Sequence, residues 1–293
     1  MCFSKWRCFT LACCVLFLAG CDDDDTVMDM QPLNLNITGL EDLGTGYVYE
    51  GWLLVDGEPV STGVFTVNSN GVLSKSTFMV DKTDLESAAT FVLTIEPNPD
   101  SDPAPSNVHL LAGTFNGGNA SLAISHSAAI NQTFGAAEGK FVLATPTDGM
   151  NTNENSGIWF LDLASGMPGV GLTLPVLPAG WIYEGWAVIN GIPVSSGTFT
   201  NVSAADNAAP YSGALSGPPF PGEDFLMNAP AGLTFPTDLS GGMGVISVEP
   251  VPDNSPAPFL LKPLIGSIPA SAVDHTTYPM NKNLVFPTGT ATR

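Results

Sequence analysis

The chain has 293 residues, five cysteines and a formal net charge of −20, with only 12% of its residues charged. So acidic a surface repels phosphate backbones, which excludes nucleic-acid binding. The low charged fraction, against roughly 25% in an average protein, together with 31 Gly and 25 Pro, excludes wholesale disorder and points to an extracytoplasmic all-β protein with many turns.

In chain order, the first element is an export signal. Lys5 and Arg7 precede an apolar run over residues 9–18, broken only by Thr10, and Leu18-Ala19-Gly20-Cys21 then sets small residues against a cysteine. These are the parts of a lipoprotein signal, with residues 1–20 as the signal peptide and Cys21 as the lipidation site. The run is too short for about 30 Å of hydrocarbon, which takes roughly 20 residues. Acyl chains contribute about 0.8 kcal/mol per buried methylene, so more than one chain on Cys21 anchors the protein to a membrane without a spanning helix. The aspartates at 22–25 make residues 21–30 an extended acidic spacer. A single acid beside a lipidated cysteine marks retention at the inner membrane in some bacteria. An acidic cluster resembles a surface-export signal, so the outer membrane or cell surface is favoured over the periplasmic face of the inner membrane. Cys2, Cys8, Cys13 and Cys14 leave with the signal, so the mature chain is expected to hold neither disulfides nor thiolate metal sites.

The mature sequence is an internal repeat. Gly46-Tyr47-Val48-Tyr49-Glu50-Gly51-Trp52 recurs as Gly180-Trp181-Ile182-Tyr183-Glu184-Gly185-Trp186. Gly57-Glu58-Pro59-Val60-Ser61-Thr62-Gly63 recurs as Gly191-Ile192-Pro193-Val194-Ser195-Ser196-Gly197. Downstream, Leu93-Thr94-Ile95-Glu96-Pro97 matches Ile246-Ser247-Val248-Glu249-Pro250, and Asp102-Pro103-Ala104-Pro105 matches Ser255-Pro256-Ala257-Pro258. The second copy carries extra residues within 201–233, a Gly-, Pro- and Ala-rich stretch that reads as a surface loop. Residues 140–145 resemble 283–288.

Each copy opens with a strand candidate, at 33–37 and 171–174. Residues 47–55, 91–96, 108–111 and 140–145 have strand length, are rich in β-branched and aromatic residues, and are bounded by turn formers. Asp56-Gly57 and Asn190-Gly191 lie between apolar runs and predict tight hairpins. Residues 84–89 and 121–130 each suggest a turn of helix, and 157–163 one more strand. The expected fold is all-β: two tandem small antiparallel β-sandwich (Ig-like) domains after the signal peptide. The first spans residues 31–148, the linker 149–156 and the second 157–293.

The matched blocks resemble the extracytoplasmic C-terminal domain of the anti-sigma-K factor family. That domain has an aromatic-x-x-Trp strand, a Gly-x-Pro-Val-Ser-x-Gly turn, a strand ending in Glu-Pro and a small Ser/Pro-rich segment. In the first copy these are Tyr49 with Trp52, residues 57–63, Glu96-Pro97 and residues 100–106. In the second they are Tyr183 with Trp186, residues 191–197, Glu249-Pro250 and residues 253–258. The family's sigma-binding helical region and transmembrane helix have no counterpart in this sequence, so the resemblance implies shared domain ancestry and not retention of a sigma factor in the cytoplasm.

The candidate site residues are the motif carboxylates and tryptophans. Glu50 with Trp52, and Glu184 with Trp186, alternate along a strand and share a face. An acid beside Trp can bind a sugar or a cation; the plainer reading is a structural carboxylate at a sheet edge. Glu96 and Glu249 could form an acid–base pair if they met, yet duplication alone accounts for two of them. Asp100, Asp102 and Asn107, echoed by Asp253 and Asn254, are oxygen-rich but match no calcium-loop spacing. His109, His126 and His275 lack metal-ligand spacing, and no nucleophile elbow or phosphate loop is present.

The sequence therefore predicts no catalytic, cofactor or metal residues. It predicts a membrane-anchored lipoprotein that binds, senses or scaffolds without being an enzyme, with an envelope protein as partner. Two alternatives stay open: a regulatory component of an anti-sigma/sigma-factor system, and a carbohydrate-binding or carbohydrate-acting surface protein.

Overall fold

The computed structural model describes residues 29–149, 151–253 and 255–293; the signal peptide, Cys21 and most of the acidic spacer lie outside the described residues. The first half forms strands β1 (Met30–Thr38), β2 (Tyr47–Val55), β3 (Glu58–Phe65), β4 (Thr77–Asp81), β5 (Thr90–Pro97), β6 (His109–Asn116), β7 (Asn119–Ala123) and β8 (Glu138–Leu143), with one short helix, α1 (Lys82–Ser87). The second half forms β9 (Gly157–Trp159), β10 (Leu161–Asp162), β11 (Gly169–Val170), β12 (Leu172–Thr173), β13 (Trp181–Ile189), β14 (Ile192–Phe199), β15 (Gly222–Asp224), β16 (Met243–Pro250), β17 (Leu264–Ser267), β18 (Tyr278–Lys282) and β19 (Thr288–Thr292). The protein is all-β, its sheets are antiparallel, and they form sandwich- or barrel-like bodies. No helix of the described residues is long and apolar enough to cross a membrane.

Local chemistry sets the hairpins. Asp56-Gly57 and Asn190-Gly191 all take positive φ, the geometry that a two-residue turn needs. Both hairpins then bulge at the same place, between Gly51 and Trp52 and between Gly185 and Trp186. A Cβ on Gly51 would collide with Thr62 and Phe91, and one on Gly185 with Ser196 and Phe160, so the two bulges admit only glycine. In both copies a buried tyrosine reaches back to a preceding carbonyl, Tyr49 Oη to Glu41 at 3.0 Å and Tyr183 Oη to Pro175 at 2.7 Å.

The sheets are not the repeats. The first runs β3-β2-β5-β6-β7-β19-β1-β4 and the second β14-β13-β16-β17-β18-β8-β9-β15. Each copy gives its last strand to the other copy's sheet. β19 lies between β7 and β1, with Ala291 opposite Ala120 and Leu35. β8 lies between β18 and β9, with Phe141 opposite Tyr278 and Val142 opposite Trp159. The two crossing segments pack on each other: the Phe134 and Phe286 rings are 5.6 Å apart, and Lys282 Nζ donates to Gly135 O at 2.6 Å. Each sheet curls until its end strands, β3 with β4 and β14 with β15, come together. The main core is one continuous cluster running from Leu33 through Phe141 to Ala291.

Three sequence expectations change. The counterpart of β1 is β9, which sits between β8 and β15 as β1 sits between β19 and β4; β12, from the expected opening strand at 171–174, pairs only with the flank of β8. Residues 121–130 do not form a helical turn, because Ala120 and Leu122 alternate inward as β7 and turns follow. The inserted stretch at 201–233 is not only a surface loop: its β15 is buried at every residue.

Candidate functional site

Register decides which carboxylates meet. In β13 and β16, Glu184 pairs with Ser247 and Ile182 with Glu249, so Glu184 and Glu249 are diagonal neighbours on one face. The turn after β16 brings Asp253 back over them, and one oxygen from each of the three lies within 4.8 Å of the others. Glu184 is only 6% exposed and Glu249 is fully buried. The Ser195 hydroxyl donates to Glu184 Oε1, while Glu184 Oε2 has no partner among the described residues. Both oxygens of Glu249 accept from the Phe259 N–H, at 3.0 and 3.1 Å.

Burial dominates the titration of this group. It pushes Glu184 up to about 7, against the Ser195 hydrogen bond and with the charge of Asp253. It pushes Glu249 up to about 8, against Ser247 and the Phe259 amide. Glu41 is also pushed up to about 7 by burial, which the charge of Lys262 opposes; Lys262 is itself lowered by burial. Of these groups Glu41 and Glu249 line a cleft of about 470 Å³ between the copies, with Tyr47, Val108, Pro252 and Asp253 also in its wall.

The first copy repeats the ingredients without the gathering. Ser61 donates to Glu50 Oε1, the Ser106 N–H donates to both oxygens of Glu96 at 3.0 and 3.1 Å, and Asp100 is exposed. Burial still raises the Glu50 pKa, and Glu96 and Asp100 add to the rise.

Glu50 and Trp52 do share a face, as do Glu184 and Trp186, but neither indole is a platform. Trp52 is 4% and Trp186 2% exposed, and their Nε1 atoms donate to Thr94 Oγ1 and Ser247 Oγ, each at 2.8 Å. Trp52 packs with Val92, Ala112 and Ala129, so its indole is held against the segment containing Ala129. Glu96 and Glu249 serve their own turns in separate copies. The histidines scatter: His109 Nδ1 lies 3.0 Å from Ala128 O, His126 Nε2 lies 3.0 Å from Thr114 Oγ1, and His275 is near Asp274 and Glu154.

A second buried acidic site lies in the insertion, which sequence reasoning passed over as loop. Asp224 Oδ1 accepts from Trp159 Nε1 at 2.7 Å, and Oδ2 accepts from the Thr147 N–H at 2.8 Å and from the Thr147 hydroxyl. Burial raises the Asp224 pKa against these three donors. The available signal was the flanking pattern, since Phe220 and Phe225 bracket Glu223 and Asp224 and mark a buried segment.

Glu223 is fully buried, accepts from the Ser212 hydroxyl and leaves Oε2 without a partner among the described residues. Burial pushes it from 4.5 up to about 8. Ser212 and the Tyr211 backbone oppose the rise, and Asp206 and Asp224 add to it. Between those two values the folded state binds a proton that the unfolded chain lacks. The stabilisation is whole below about 4.5 and is lost as pH rises through about 8. Thermal melts should therefore show Tm falling between about pH 4.5 and about pH 8, with a flatter profile in Glu223→Gln, which keeps the neutral form. An unchanged slope in that variant would assign the loss to other groups.

Residues 26–109 match the family model described as anti-sigma-K factor rskA, C-terminal. No curated protein and no solved structure matches the chain. The matched span runs from before β1 to the first residue of β6 and contains Glu50, Trp52 and Glu96. The first copy is therefore similar to the C-terminal part of the anti-sigma-K factor rskA family, and the second copy carries the same motifs through the internal repeat.

Proposed function

We propose that the chain is an extracytoplasmic lipoprotein, anchored through acyl chains on Cys21, that binds, senses or scaffolds without catalysing a reaction, using anti-sigma-K-factor-like modules. The observation that carries this reading is the use to which the motif carboxylates are put. Glu50, Glu96, Glu184 and Glu249 each hold a serine hydroxyl or a turn amide of their own copy. Each thus has a structural partner inside its own copy, and the cleft between the copies, with Glu249 in its wall, is the recognition surface we favour.

The partner we favour is another envelope protein, and the location is the outer membrane or cell surface. Growth with an alkyne fatty acid, protease treatment of intact cells and crosslinking pull-down test the three parts together. The expected result is a labelled band, lost on external proteolysis, that captures an envelope protein. An unlabelled, protease-protected protein that captures nothing would refute the proposal. The match over residues 26–109 favours one further reading, a regulatory component of an anti-sigma/sigma-factor system. Deletion of the gene would then change a sigma-dependent set of transcripts, and an unaltered transcriptome would remove that reading.

A further inference from the structure

We propose that Glu184, Glu249 and Asp253 form a binding site for one hard divalent cation of the Ca²⁺ class. The inference is independent of the anchoring and partner readings above. Oxygens on opposite sides of a calcium ion, each at about 2.4 Å, are about 4.8 Å apart. One oxygen from each of the three carboxylates meets the others within that span. The donor set is all carboxylate, without His or Cys, which suits Ca²⁺ or Mg²⁺ and not a softer transition metal.

The unpartnered oxygen is the independent pointer to a ligand. Glu184 is 94% buried, its Oε1 is held by Ser195, and its Oε2 receives no donor N–H or hydroxyl among the described residues; the other side chain against this carboxylate is that of Asp253. A buried carboxylate oxygen without a donor is costly, and a cation at this point satisfies it. The supports are already in place: Ser195 on β14 orients Glu184, and the Phe259 N–H grips both oxygens of Glu249. Such outer contacts preset ligand geometry. Asp253 is half-buried on the wall of the cleft, so the ion has a route in and open positions for water. Lys262, the nearby cation, forms no ion pair with the three among the described residues.

The duplication supplies an internal control. Glu50, Glu96 and Asp100 hold the corresponding places in the first copy, but Glu50 is only half-buried, Asp100 is exposed, and the three are not gathered within the span of one ion. The described residues therefore offer one such site, and not two.

The test uses the full chain in detergent, stripped with EGTA, in 150 mM salt at pH 7.5. Calorimetric titration with CaCl2 should saturate at one site, with a Kd on the order of 10⁻⁴–10⁻³ M, as in extracellular calcium modules. Tm should rise in 5 mM CaCl2. Asp253→Asn and Glu184→Gln should each weaken binding at least about tenfold, while Asp100→Asn and Glu50→Gln should titrate like the parent. Asp253 is on a turn and half-buried, so its variant carries the test if Glu184→Gln fails to fold. Absence of saturable binding up to 10 mM in the folded parent overturns the proposal. So does parental affinity in Asp253→Asn, or loss of binding in Asp100→Asn.

Discussion

A chain ending at residue 287, without β19, should lose its first sheet. β19 is an interior strand, paired to β1 on one side and to β7 on the other. Without it, β1 keeps only β4 as a neighbour, and Leu33, Leu35 and Ile37, which are 0–5% exposed, lose the wall that holds them inward. Burying each such side chain contributes about 1.5–3 kcal/mol, and a whole domain is stable by only about 5–15 kcal/mol. The truncation also removes Arg293, which donates to Leu85 O and Ala88 O beside α1 and lies over the Phe115 ring at 4.3 Å.

The expected result is loss of the cooperative melt by circular dichroism and rapid proteolysis in residues 29–123, with the second sheet cut more slowly because β8 still fills its place. A synthetic peptide covering residues 283–293 should restore protection in trans by adding the missing strand. By the same logic, fragments 29–148 and 149–293 should each misfold alone and refold when mixed. A truncated chain that melts like the full one would show that the last strand does not belong in the first sheet.

Replacement of Asp224 should have the largest effect of any single substitution in the second body. Asp224→Ala strands three buried donors at once: the Trp159 indole N–H, the Thr147 amide and the Thr147 hydroxyl. Each buried polar group left unsatisfied costs about 1–3 kcal/mol. The summed loss should be about 3–5 kcal/mol in urea unfolding, which for a chain of this size lowers Tm on the order of 10 °C. Asp224→Asn keeps the shape but turns an amide N–H toward at least one of the donors, so it should recover only part of the loss. Asp102→Asn, at an exposed position, should stay within about 0.5 kcal/mol of the parent. A urea midpoint for Asp224→Ala equal to that of Asp102→Asn would remove the buried carboxylate from the stabilising network.

Much of the second body's stability therefore sits in a segment whose composition reads as loop. Gly, Pro and Ala over residues 201–233 carry no strand period, and β15 is only three residues long. It is a strand because it pairs with β9 and because Asp224 finds partners in Thr147 and Trp159, which are distant in sequence. A pattern taken along the chain has no access to such partners.

The candidate site was half legible for a related reason. All its glutamates stand out as repeat motifs, and position in the repeat invites pairing Glu96 with Glu249. Antiparallel register pairs differently: it sets Glu249 diagonally across from Glu184 within one copy, and the following turn adds Asp253. Glu41 and Lys262 carry no motif and enter the neighbourhood only through folding.

The duplication, the hairpins at Asp56-Gly57 and Asn190-Gly191 and the all-β class were written in the sequence alone, because each rests on contacts between near neighbours or on residue types with few conformational options. The destination of β8 and β19 was decided only by the tertiary structure. The two copies hold a last strand at matching places, between β7 and β1 and between β18 and β9. The choice is made by the path of the crossing segments and by what they bury, Phe134 against Phe286, and no local pattern encodes a contact of that range.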